Sequence, residues 1–272
     1  MLRCAVLALI VVVAVSSGRI APSITDTVVL RGRPQIVHLY GERSGPPVIV
    51  SSGDGGWIHL APHVAETLAA KGYFVVGVNV KAYLESFTSG GHTLGLDDVP
   101  RDFAALVEYA TRAGPGPPEG GPYESAGGPY EARPLLIGVS EGAGLSVLAA
   151  TDPQMRRRIS GVVALGLPDR NELGWRWKDS LIYVTHGVPN EPTFNASDIV
   201  GKMTPVPLAA IHSTQDEFVP ESDVRRLMAR ASEPKRLWMV TASDHRFSGN
   251  VDEFDRRLLE SIDWVRQHAP KT

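Results

Sequence analysis

Cysteine is all but missing: the chain of 272 residues has one, Cys4. It lies inside an N-terminal apolar stretch, so the chain behind that stretch has no disulfide, no thiolate nucleophile and no cysteine metal site. A surplus of one charge is missing too. Twenty-seven basic residues face 30 acidic ones for a formal net charge of -3. With a pI near 6.2, there is no general pull toward nucleic acid or an anionic membrane. The only dense basic run, 156–158, reads as a solvated helix end. No apolar run reaches the ~20 residues of a membrane span. The metalloprotease helix motif is absent as well: His59 and His63 share helical spacing but lack its glutamate, so neither a metal nor a cofactor is expected. What is present is a globular composition. A hydrophobic share of 43% excludes a disordered chain, and 21 prolines with 27 glycines exclude a coiled coil or a simple helical bundle.

Arg3 precedes the apolar stretch 4–15, which ends in Ser16, Ser17 and Gly18. A positive start, a short apolar run and a small-residue exit describe a secretory signal peptide over residues 1–18, with an uncleaved anchor as the alternative. The expected location is therefore periplasmic or secreted. Export without disulfides suits a bacterial periplasm at least as well as a eukaryotic secretory route.

Residues 19–272 read as one α/β domain. Strands are expected at 35–40, 48–51, 73–80, 135–139, 159–167, 180–185, 207–212 and 236–240. Helices are expected at 61–71, 97–112, 142–150, 222–230 and 251–268. Such alternation implies a three-layer α/β fold, a mostly parallel sheet covered by helices on both faces. The Gly/Pro-rich stretch near 114–134 reads as an irregular insertion, because the alternation resumes unchanged behind it.

Gly138-Val139-Ser140-Glu141-Gly142 is a G-x-S-x-G sequence between an expected strand and an expected helix. A serine on such a turn projects its hydroxyl above the carboxyl edge of the sheet, at a helix N-terminus rich in free N–H groups. Asp216 and His245 then follow the ends of two later strands, in the order serine, acid, histidine. Serine is a weak nucleophile until a base takes its proton, and the histidine needs a carboxylate to fix its tautomer. Glu217 and Asp244 are rivals for the acid; Asp216 is favoured because it comes first in a loop that returns through Val219-Pro220 to a helix. The glycine-rich turn 51–57 ends an early strand, where the backbone N–H of Gly53 or Asp54, with that of Glu141, could bind a developing oxyanion.

The run Ser52-Gly53-Asp54-Gly55-Gly56-Trp57, the stretch 69–79, Lys81-Ala82-Tyr83, the helix with Asp102, the Ser140 elbow and His245-Arg246-Phe247 resemble the VirJ/AcvB bacterial virulence family of α/β-hydrolases. The resemblance implies a periplasmic α/β-hydrolase with Ser140, Asp216 and His245 as its triad. Members include hydrolases of aminoacyl-phosphatidylglycerol and proteins associated with type IV secretion. The family elbow commonly has an aromatic residue after the serine, where this chain has Glu141. Trp57, Glu141 and Tyr83 are the candidate substrate contacts, and a cationic acyl group is one ligand that a Glu141 carboxylate could select. The other reading of Glu141 is a solvated first-turn residue at the helix dipole. The function expected is a secreted serine hydrolase of carboxylic esters. The alternative is a non-enzymatic periplasmic accessory of a secretion or virulence system. Expected partners are a small-molecule or lipid ester, membrane lipid at the periphery and secretion-system proteins, with no nucleic acid.

Overall fold

A computed structural model describes residues 24–112, 133–177 and 191–270. The expected signal segment with Cys4, residues 113–132 of the Gly/Pro-rich stretch, the strand expected at 180–185 and His186 lie outside the described residues.

The chain opens with an antiparallel pair, β1 (Ile24–Leu30) and β2 (Arg33–Tyr40). It continues through β3 (Pro47–Ser51), α1 (Leu60–Ala70), β4 (Phe74–Val78), α2 (Val80–Phe87) and α3 (Asp98–Arg112). Then come β5 (Leu135–Val139), α4 (Glu141–Ala150), the short α5 (Met155–Arg158) and β6 (Gly161–Leu165). A small hairpin, β7 (Arg170–Glu172) with β8 (Thr193–Asn195), leads through two 3-10 turns to β9 (Leu208–Ser213). The chain closes with α6 (Glu221–Arg230), β10 (Lys235–Val240) and α7 (Val251–His268). The main sheet has the order β1-β2-β4-β3-β5-β6-β9-β10, antiparallel at β1 and β2 and parallel from β4 onward.

The central strands β4, β5, β6 and β9 are buried at every residue, and almost all of those residues are apolar, because both sheet faces are covered. Ile49, Val76, Leu136 and Val162 point to the side of α2, α3, α4 and α6. Their strand neighbours Val50, Val75, Ile137 and Val163 point to the side of α1 and α7. Each such side chain, fully removed from water, contributes roughly 1.5–3 kcal/mol. Helix α4 is buried along its whole length, which explains its small residues. An added Cβ at Gly144 would lie 1.7 Å from the Asn171 side chain of β7.

The expected three-layer arrangement is observed, with differences at three places. β1 was not expected, since its burial alternates only at its end and it leaves Ile24 and Val29 exposed. The strand expected at 73–80 stops at Val78, and α2 begins two residues later. Asn79 forces the break by accepting from the Ala82 N–H at 3.1 Å as the N-cap. The β7–β8 hairpin also went unexpected, its strands being three residues each. Among the described residues no helix is long and apolar enough to cross a membrane.

Candidate active site

Ser140 sits between β5 and α4 with φ 51° and ψ -117°. A non-glycine residue in that region costs about 1–3 kcal/mol, held here by the structure on either side. The Ser140 N–H donates to the Leu165 carbonyl at 2.8 Å. The two motif glycines are there for contact. A Cβ at Gly138 would come within 2.2 Å of the Gly142 carbonyl oxygen, and one at Gly142 within 2.4 Å of the Ser52 carbonyl oxygen. Strand, elbow and glycine-rich turn therefore pack backbone to backbone.

That turn flanks the serine. A Cβ at Gly53 would lie 3.4 Å from the Ser140 Cβ, and the first N–H groups of α4 have no intrahelical acceptor. The expected oxyanion donors at Gly53, Asp54 and Glu141 thus border one cleft with Ser140 and His245, about 230 Å³ in volume. Ser52, which sequence reasoning passed over, braces the turn: its buried hydroxyl donates to the Gly53 carbonyl and accepts from the Val80 N–H, both at 3.0 Å.

The acid and the histidine meet. His245 Nδ1 lies 2.6 Å from Asp216 Oδ2, while Asp216 Oδ1 accepts the N–H groups of Phe218 at 3.0 Å and Val219 at 2.8 Å. Burial draws the Asp216 carboxyl upward, but the bond and charge of His245 with the two N–H groups outweigh it, leaving the pKa below the usual value. His245 Nε2 is buried and has no hydrogen-bond partner among the described residues. The rival acids serve the turn instead. Glu217 accepts the His245 backbone N–H at 2.7 Å, and Asp244 accepts those of Arg246 and Ser248 at 2.9 Å.

Gly166, also missed in the sequence, supports the histidine ring from below. It adopts φ 60°, and a Cβ there would lie 2.5 Å from His245 Cε1 and 3.0 Å from Nδ1. Gly166→Ala is expected to push the ring off its seat and lower kcat about 100-fold, as a displacement of ~1 Å at a reacting group can do. Steady-state kinetics with a model ester on the folded variant checks this; a kcat within threefold would mean the ring has room to shift.

Two of the expected substrate contacts stand elsewhere. Trp57 stacks on His38 with centroids 4.8 Å apart, donates Nε1–H to the Tyr40 hydroxyl at 3.2 Å, and covers Gly77, where a Cβ would lie 2.2 Å from its ring. Its aromatic surface is spent on β2 and β4. Tyr83 is buried, and its hydroxyl donates to Asp102 Oδ2 at 2.7 Å. Asp102 also accepts two bonds from Arg31 at 2.8 Å, so Tyr83 belongs to a part-buried network that joins α2 and α3 to the β1–β2 turn. Neither side chain lines the cleft.

Glu141 differs from the solvated reading of its side chain. It lines the cleft but is buried, not solvated, and its Oε1 accepts the Glu172 backbone N–H of β7. Burial, with the charges of Asp54 and Glu172, drives its carboxyl well above the ordinary value. A carboxyl pKa raised by burial makes folding stability depend on pH. Below the ordinary value of 4.5, folded and unfolded chains both hold this proton. As pH rises past that value the unfolded chain releases the proton first, so folding stability falls until the folded group ionises too. Urea unfolding from about pH 4 upward should show that decline in the parent and a flatter profile in Glu141→Gln; identical profiles would assign the decline to other groups.

His63 accounts for its half of the His59/His63 pair by bonding Asp255 of α7 at 2.7 Å. Among the described residues no group of three or more His, Cys, Asp or Glu is placed to hold a metal ion.

Solved structures share this architecture. The chain aligns with Est1E from Butyrivibrio proteoclasticus over 89% of its own length and 98% of that chain, at TM-score 0.59 and 16% identity. The esterase domain of a Rhodothermus marinus protein aligns over 90% and 97%, at TM-score 0.56 and 19% identity. A membrane phospholipase A described as a bacterial virulence factor aligns over 90% and 87%, at TM-score 0.62 and 11% identity. Likeness at such identities is likeness of fold, and the fold is that of the α/β-hydrolases. No curated protein sequence matches the chain. The family resemblance read in the sequence is borne out over the segment from β3 into α3: residues 47–107 match the family described as bacterial virulence protein (VirJ), so over that segment of an α/β-hydrolase fold the chain is similar to VirJ.

Proposed function

We propose that this protein is a serine hydrolase of carboxylic esters. The observation that carries the reading is the strained Ser140 elbow in one cleft with a histidine whose Nδ1 is bound to a buried carboxylate at 2.6 Å and whose Nε2 is unpartnered among the described residues. In the proposed cycle His245 Nε2 takes the Ser140 proton as Oγ attacks the ester carbonyl carbon. The N–H groups of Glu141 and of Gly53 or Asp54 receive the oxyanion, one such donor being worth about 3 kcal/mol. His245 then passes the proton to the departing alkoxide, leaving an acyl-Ser140 ester. Water, deprotonated by His245, attacks that ester; collapse of the second tetrahedral intermediate returns the serine and releases the acid. Asp216 holds the Nδ1–H tautomer and stabilises the imidazolium throughout.

The substrate we infer is a lipid ester, with aminoacyl-phosphatidylglycerol suggested by the family resemblance. The cleft supports an amphiphile: Ile58 and Phe218 are 51% and 46% exposed at its mouth, beside Arg170 and Arg246. Apolar chains would lie on the first pair and a phosphate near the second. The periplasmic or secreted location, contact with membrane lipid and a link to secretion proteins belong to the same proposal and rest on the N-terminal sequence and the resemblance. A fluorophosphonate probe tests the enzymatic core directly. One adduct on Ser140 by peptide mass spectrometry, with parallel loss of esterase activity, is the expected result. Absence of labelling under conditions that label a known serine esterase would instead favour a non-enzymatic accessory protein.

A further inference from the structure

His212 lies one residue before the end of β9, and its imidazole is fully enclosed, at 0% exposure. Nε2 is 2.9 Å from the Val219 carbonyl oxygen. A carbonyl only accepts, so the neutral ring carries its proton on Nε2 and leaves Nδ1 as a bare lone pair. Nδ1 is buried, has no hydrogen-bond partner among the described residues, and lies 3.9 Å from Asp216 Oδ2. That oxygen is the one bound by His245 at 2.6 Å. Two imidazoles therefore flank one carboxylate oxygen, one bonded to it and one held just out of reach.

The charged groups that reach His212 are few. Burial lowers its pKa first and most; Asp216 and the Val219 carbonyl oppose this, His245 adds to it, and Glu221 at the start of α6 opposes it weakly. Its register partner on β10 is Met239, which carries no charge. Val219 and Asp216 are ends of one short turn, so the single Nε2–H bond also fixes the segment that aims the carboxylate.

We propose that His212 is a positioning residue for the Asp216–His245 pair. As a neutral ring it anchors the turn through Val219 and leaves the whole carboxylate charge to His245. When Nδ1 takes a proton, it bonds Asp216 Oδ2 across the present gap, and His245 loses its orienting bond. Two imidazoles then share control of the acid limb of activity. This inference rests on the proposed hydrolase reading for its effect on turnover, while the coupling between the rings stands apart from it.

Two measurements on the full chain test it. With a model ester, log(kcat/KM) of the parent should fall at low pH with a limiting slope of two, because both rings must lose a proton. In His212→Gln, which keeps a donor for Val219, the slope should be one, with kcat about tenfold lower and KM little changed. A parent slope of one, or an unchanged slope of two in the variant, overturns the proposal whatever the loss in kcat. The downfield proton resonance of His245 Nδ1–H reads the pair without turnover. In the parent and in Ser140→Ala it should change in step with His212 protonation, and that step should vanish in His212→Gln. A resonance that ignores His212 overturns the proposal even if the variant folds poorly, since the parent alone decides. If the resonance behaves as expected while no ester is cleaved, the hydrolase reading fails and the coupling of the rings remains.

Discussion

Ser140→Ala is expected to fold like the parent and to lose about 10⁵-fold or more in kcat toward a model ester, the scale on which removal of a nucleophile acts in serine hydrolases. The loss should appear in kcat rather than KM, because the hydroxyl forms its bond only as the reaction proceeds. Alanine keeps the Cβ, so the backbone at φ 51° stays as strained as before and thermal stability should hardly move. Ser140→Gly supplies the contrast. It should abolish activity equally yet raise stability by roughly 1 kcal/mol, since glycine adopts positive φ without penalty. Kinetics and thermal melts on the three proteins check both arms. A folded Ser140→Ala that retains even a hundredth of parental turnover would remove Ser140 as the nucleophile. A Ser140→Gly that is no more stable than the parent would mean the elbow stores no strain for catalysis to draw on.

The sequence made the centre of this fold readable and its margins less so. β5, α4, β9 and α7 are long or predominantly apolar, and their ends carry glycine, serine or proline punctuation, so period and breakers coincide. The Asp216–His245 contact was legible for a different reason: strand ends in a parallel sheet converge on one edge, and topology brings together residues 29 apart in the chain. What failed was the role of side chains whose surroundings come from distant strands. Trp57 looks like a cleft residue in a glycine-rich turn, yet Gly77 on β4 leaves a slot that its ring fills. Tyr83 is a helix residue beside the motif, but Asp102 and Arg31 claim its hydroxyl. Glu141 reads in sequence either as a solvated first-turn residue or as a carboxylate bordering the cleft; the β7 hairpin, too short to register as strand, covers it and removes the solvated reading. His212 and Gly166 left traces, a histidine four residues before the acid and a glycine near the end of an expected strand, but neither pattern has meaning until the Asp216–His245 pair is placed beside them.

Asp216→Asn is expected to cost about 10⁴-fold in kcat, the effect seen when a triad carboxylate becomes an amide in a preserved geometry. The reason lies in how the two oxygens are used. Oδ1 accepts the N–H groups of Phe218 and Val219, and the amide oxygen of asparagine must stay with those donors. The amide NH₂ is then forced onto His245 Nδ1, which has to become an acceptor, so the ring proton moves to Nε2. A histidine with its proton on Nε2 cannot take one from Ser140. Asparagine has no carboxyl to ionise, so raising the pH through the neutral range should not restore the lost carboxylate or rescue the variant. Glu217→Gln and Asp244→Asn provide the comparison. Their oxygens accept backbone N–H groups, which an amide oxygen can also do, so each should cost at most a few-fold in kcat and about 1 kcal/mol or less in stability. A loss for Asp244→Asn that exceeds the loss for Asp216→Asn would transfer the role of acid to Asp244. An Asp216→Asn protein within tenfold of the parent would leave His245 oriented by its seat on Gly166 rather than by a carboxylate.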